Sequence, residues 1–219
     1  MKIMGETLKA ARLDFCLIRP YMKNLFFTMA FPVVFAAINR SLINGVSFAM
    51  SFISMTAGYT FSISEKNGME KLYGILPVSK KHMVMGRYLY TCTMGLLTLI
   101  ISLVVHPIVL HALGAAVSSV DIIAAAITGI VLFSIFTVFL LPGYYKYGAI
   151  KGRIFMFVPA AGYLTVLMFV AVFGFTGNSV ISAIDSSPLI FVGIVLLICI
   201  MAFLLSVIVS IRILRNKEA

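Results

Sequence analysis

Charge is scarce in this chain. Its 219 residues include 17 basic and seven acidic side chains, 11% of the total, with a mean hydropathy of +1.11. A soluble domain carries about 25% charge, so a water-soluble fold is excluded and the chain is a membrane protein. The few carboxylates are also kept out of the middle of the apolar stretches: Asp121 and Asp185 stand at their ends. Ion-coupled carriers commonly place Asp, Glu or His within their spans, so a secondary transporter is disfavoured. No GxSxG, HExxH or paired carboxylates occur, which argues against catalysis within the chain. None of the sixteen glycines precedes a lysine, so no phosphate-binding loop of the GKS/T type can form. Three cysteines, Cys16, Cys92 and Cys199, show no spacing pattern for disulfides or a metal.

What is present is long apolar sequence. Charge-free runs cover 24–39, 41–64, 88–120, 122–145, 154–184 and 186–211. Crossing roughly 30 Å of hydrocarbon takes about 20 apolar residues in a helix; the short first run reaches this if Arg40 snorkels outward. The runs are continuous rather than alternating, which excludes a β-barrel. The expectation is an all-α membrane protein in one domain over 1–219, with spans at about 24–43, 45–63, 88–111, 122–141, 154–175 and 188–211. Ahead of them, residues 1–23 carry Lys2, Lys9, Arg12, Arg19 and Lys23. An apolar stripe runs through Ile3, Met4, Leu8, Ala11, Phe15 and Ile18. This pattern predicts an amphipathic interfacial helix; the alternative is a disordered basic tail.

Sixteen of the 17 basic residues fall on one side of this arrangement, and Arg40 alone falls opposite. By the positive-inside rule both termini and the segments 64–87 and 142–153 are cytoplasmic. The outer loops are short, which leaves no room for an extracellular receptor domain. Turns are expected at Asn39-Arg40-Ser41 and Asn44-Gly45, and a kink at Pro32. His106-Pro107 reads as a helix-end or kink site rather than a ligand. Two faces of small residues recur at helical spacing: Ser51, Ser54 and Gly58 on the second span, and Thr91, Gly95, Thr98 and Ser102 on the third. They permit close helix packing or line a pathway.

The segment 64–87 is the most informative. It holds Glu65, Lys66, Glu70, Lys71, Lys80, Lys81 and Arg87 between two uncharged runs. Pro77 biases Leu76 away from helix, and Ser79 is a suitable N-cap for a helix running through His82 to Tyr88. A merely solvated linker has little use for Leu72, Ile75 and Leu76, so this loop is expected to be gripped by a partner.

Glu65 and Leu76-Pro77-Val78-Ser79-Lys80, continuing to Val84 and Gly86-Arg87-Tyr88, resemble the second-to-third-span loop of small bacterial ABC type 2 permeases. Pro142, Tyr144 to Gly148 and Lys151-Gly152-Arg153 resemble their fourth-to-fifth loop. Within that family the chain looks most like the permeases that export phenol-soluble modulins and antimicrobial peptides. The resemblance implies the six-span ABC type 2 exporter permease fold in a bacterial plasma membrane. It further implies a second permease chain and a separate P-loop ABC ATPase; ATP and magnesium would bind that partner, and this chain would hold no cofactor. The coupling contacts carried over are Glu65, Glu70, Lys71, Leu72, Leu76, Pro77, Ser79 and Lys80, with Tyr145, Lys146, Lys151 and Arg153 in the second cytoplasmic loop. Nothing points to nucleic acid as a partner. The competing expectations are a membrane scaffold or immunity protein that moves nothing, and then a secondary transporter.

Overall fold

A computed structural model describes residues 2–69, 79–159, 161–162 and 188–217. All regular elements among the described residues are helical: α1 (Lys2–Ile18), a 3-10 turn (Arg19–Tyr21), α2 (Met22–Thr28), α3 (Ala30–Asn39), α4 (Leu42–Lys66), α5 (Lys80–Ala112), α6 (Ser119–Lys151), a second 3-10 turn (Gly152–Met156) and α7 (Pro188–Asn216). By length and composition α4, α5, α6 and α7 can each cross a membrane, and α3 is a shorter apolar helix. Most of the predicted fifth span, the outer turn after it, and Glu70, Lys71, Leu72, Leu76 and Pro77 lie outside the described residues.

Sequence explains most helix boundaries. Pro20 sits in the turn after α1, and Pro32 lies in the first turn of α3, where it cannot donate to Thr28; the helix breaks at Met29 between α2 and α3. Arg40 closes α3 in the left-handed region (φ 48°), donating its N–H to Ala36. Ser41 then caps α4, so the hairpin turns within two residues. The turn expected at Asn44-Gly45 is not there: both residues lie inside α4. Gly45 serves packing instead, because Ala36 and the His106 ring occupy the space a side chain would fill.

Ser79 occupies the N-cap position of α5, as the sequence indicates, with its Oγ 2.7 Å from His82 Nδ1. The helix continues through Pro107 to Ala112, so His106-Pro107 does not end it. His106 is buried, with Nδ1 2.8 Å from the Ser102 carbonyl. Ser118 and Asp121 form a capping box that starts α6; Asp121 therefore serves its own helix. The segment from Pro142, expected as a loop, remains helical until Gly148, whose φ of 78° and ψ of −177° break the geometry. Pro142 has no N–H for the Val138 carbonyl. Ser206 Oγ from α7 donates to that carbonyl at 3.0 Å, which lets the helix pass through the proline.

α4 is the central helix. Towards the basic end Ala57 and Phe61 pack with Val84 and Tyr88 of α5 and with Phe136, Leu140, Leu141, Tyr144, Tyr145 and Ala149 of α6. Towards the other end Leu42, Val46, Met50 and Ile53 pack with Leu99, Leu110, Ala125 and Phe133. Of the four described helices long enough to cross a membrane α7 is the least buried, exposing Ile194, Leu197, Ile198, Leu204, Leu205 and Ile208, a surface suited to lipid. Between helices in lipid the association comes from close van der Waals contact and interhelical hydrogen bonds rather than from water exclusion.

Candidate functional site

At the basic end, polar groups join helices that are far apart in sequence. Arg87 lies about two turns into α5, and is buried together with Asp14 of α1. Its Nε donates to Asp14 Oδ2 at 3.1 Å, and its Nη2 donates to Oδ1 at 2.9 Å and to Ser64 Oγ, in the last turn of α4, at 3.3 Å. The guanidinium also lies 4.3 Å from the Phe61 ring centroid, close enough for cation–π attraction. One side chain thus holds α1, α4 and α5 together. The bidentate fork fixes direction as well as distance.

α1 docks along α5 over its length. Glu6 Oε2 lies 2.9 Å from His82 Nδ1. Gly86 is backed directly by Ala10, Ala11 and the Thr7 carbonyl, and Ala11 and Ile18 share a buried cluster with Tyr90. The pairs advance together along both helices, so the two run in the same direction. The buried stripe of α1 is Thr7, Ala11, Asp14 and Ile18, while Leu8 and Phe15 remain exposed. The apolar stripe read from the sequence is therefore divided between protein packing and an outward face.

On the other side of the loop between α4 and α5, Glu65 turns inward to α6. The Ala149 N–H donates to its Oε1 at 2.6 Å, capping the helical segment that restarts after Gly148. The same oxygen occupies the space where a side chain on residue 148 would sit, and the left-handed φ there favours glycine. Phe61 stacks on Tyr144, with centroids 5.1 Å apart, and meets Tyr145 edge-on at 4.9 Å. Tyr145 is buried by this contact, while Lys146, Lys151 and Arg153 remain exposed. The Lys146 amine lies 5.1 Å from the Tyr147 ring centroid. Tyr88 completes the end: its hydroxyl is 2.7 Å from Ser206 Oγ and 2.9 Å from Ser210 Oγ. Because Ser206 spends its proton on Val138, Tyr88 donates to Ser206 and accepts from Ser210.

Among the described residues the small faces are not gathered around one channel. Gly58 is filled by the Tyr144 phenol and Gly95 by the Phe133 ring, so both serve packing against α6. Ser54 Oγ donates to Met50 O at 2.9 Å, Ser51 Oγ to Ser47 O at 2.9 Å and Thr91 Oγ1 to Arg87 O at 2.9 Å. These hydroxyls donate within their own helices, and Ser54 Oγ also lies 3.5 Å from the Phe133 carbonyl of α6; Ser54 and Thr91 are buried between helices. Thr98, Ser102 and His106 line a cavity of about 70 Å³ with Met29, Val33, Ala49, Ile101 and Val105.

Sequence reasoning missed Asp14, Ser64, Arg87 and Tyr88 as site residues. Asp14 had a faint signal: it falls on the Thr7, Ala11, Ile18 stripe, where a solvated acid would not. Among the described residues no cluster of His, Cys, Asp and Glu could hold a metal.

The sequence model of the family described as "ABC-2 family transporter protein" matches residues 12–215, nearly the whole chain. No curated protein and no solved structure matches it.

Proposed function

Since the chain belongs to the ABC-2 transporter family, as a transmembrane permease component, we propose that it exports an amphipathic or hydrophobic substrate (a peptide, toxin or lipid-like molecule) under power from a separate ABC ATPase. The observation that carries this reading is the anchoring of the loop between α4 and α5 on both sides. Glu65, in the last turn of α4, ties the helix before the loop to α6, and Arg87, about two turns into α5, ties the helix after it to α1 and α4. A loop that ends on two braced helices passes a push to them instead of absorbing it.

The ATPase docks on this loop through Leu72 and Leu76, with Glu70, Lys71 and Lys80 as polar contacts, and Glu65 holds the loop from within. Two permease chains form the pathway between them, in a bacterial plasma membrane with both termini cytoplasmic. The cargo class follows from the spans. The Ser51, Ser54 and Thr91 hydroxyls each donate to a carbonyl of their own helix, and the apolar runs keep carboxylates out of their middle. Such walls offer a hydrophilic ion little in place of its water, and suit apolar surface well.

The test is affinity purification of the tagged chain from its native membrane in mild detergent, alongside the double variant Leu72→Asp/Leu76→Asp. The expected result is a P-loop ATPase that accompanies the native chain and is lost from the variant. A folded native chain that brings no ATPase contradicts the reading.

A further inference from the structure

We propose that Asp14 and Arg87 are a positioning pair that makes α1 travel with the start of α5 when the ATPase acts. This rests on the permease reading above and assigns the transmission step within it. A buried ion pair gains little over a well-packed apolar contact, since desolvation offsets most of the attraction. Its distinctive property is direction. Two parallel N–H···O bonds hold the guanidinium and carboxylate in one plane and one register.

The surroundings allow no alternative register. Gly86, one residue earlier, lets the α1 backbone come so close that a Cβ there would collide with Ala10 and the Ala11 nitrogen. Sliding α1 by one turn along α5 would put Asp14 away from the guanidinium and leave the buried carboxylate without its counter-charge. Close-packed faces slide and rotate over each other more cheaply than that. The pair therefore converts a packed contact into a rigid joint.

Its location gives the joint a role. Arg87 stands on α5 about two turns beyond the loop that we assign to the ATPase, and its Nη2 also reaches Ser64, in the last turn of α4 before that loop. A displacement of α5 at this end carries Asp14, hence α1, and through the turn at Arg19–Tyr21 it reaches α2 and α3. The first span is thereby moved by an ATPase that need not touch it.

The experiment uses the chain with its co-purified ATPase in lipid nanodiscs, with Cys16, Cys92 and Cys199 replaced by serine. Spin labels are placed on exposed positions: Lys9 on α1, Lys81 at the start of α5 and Asn216 at the end of α7. Distances from Asn216 to each of the other two are measured without nucleotide and with ATP plus vanadate. In the native pair both distances should shift together. In Asp14→Asn, whose amide is nearly isosteric but uncharged, the Lys81 distance should still shift and the Lys9 distance should not. The reversed pair Asp14→Arg/Arg87→Asp should restore the joint shift. A merely structural role would lower the melting temperature without separating the two distances. If Lys9 still follows Lys81 in Asp14→Asn, the pair is not the joint. If neither distance responds to nucleotide in the native chain, the permease reading fails, and the proposal with it.

Discussion

The two ends of the helix bundle are held by different chemistry. At the basic end the helices are joined by polar bonds that cross between elements: Arg87 to Asp14 and Ser64, Glu65 to Ala149, and Tyr88 to Ser206 and Ser210. At the opposite end Gly45 packs on Ala36 and His106, and Gly129 on Met50 and Val46. The hydrogen bonds there are local, such as the Ser118–Asp121 cap and the His106 contact to Ser102. Polar bonds have one geometry and lose their value when displaced, whereas small-residue faces tolerate slight sliding. Under the proposed function the basic end moves as a unit and the far end adjusts to it.

Substitutions can break this contrast, and the largest effect is expected at Arg87. Arg87→Met leaves Asp14 buried and unpaired, which costs about 3–5 kcal/mol; thermal unfolding in detergent should show a large drop in midpoint. Gly45→Val comes next. It overpacks the far end against Ala36 and His106 at a cost of about 1–3 kcal/mol, and the same assay should show a smaller drop. Glu65→Ala removes one acceptor at an exposed residue, worth about 1 kcal/mol. Its effect should be local, as faster hydrogen exchange of the Ala149 amide with little change elsewhere. Tyr88→Phe is expected to be smallest, at about 0.6 kcal/mol, the usual value for an interhelical hydrogen bond in lipid. A Tyr88→Phe loss as large as that of Arg87→Met would contradict the ranking.

Much of the helical framework was legible in the sequence because apolar runs and proline act locally. The start of α5 after Ser79 and the break near Pro32 both followed from the chemistry of adjacent residues. The joints were not legible. Asp14 and Arg87 lie 73 positions apart, and Glu65 and Ala149 lie 84 apart; no local spacing links them. The resemblance carries Glu65 over as a coupling contact, and no local signal announces that its carboxylate accepts from the Ala149 N–H. The segment from Pro142 read as the start of a cytoplasmic loop, yet α6 passes through it because Ser206, 68 positions from Val138, supplies the missing donor. Asn44-Gly45 carries a turn signal, yet there glycine is required by the neighbouring helices. The small faces were legible as faces, but only the structure shows Tyr144 and Phe133 filling Gly58 and Gly95.

The central claim is that this chain moves an apolar or amphipathic cargo at the expense of ATP hydrolysed by its partner. Inverted membrane vesicles carrying the chain and its ATPase test it most directly, with a dansyl-labelled amphipathic helical peptide as probe. The account predicts uptake into the vesicles that requires ATP, stops with vanadate, survives a protonophore, and is absent in Leu72→Asp/Leu76→Asp. Uptake that is indifferent to ATP and abolished by the protonophore would contradict it.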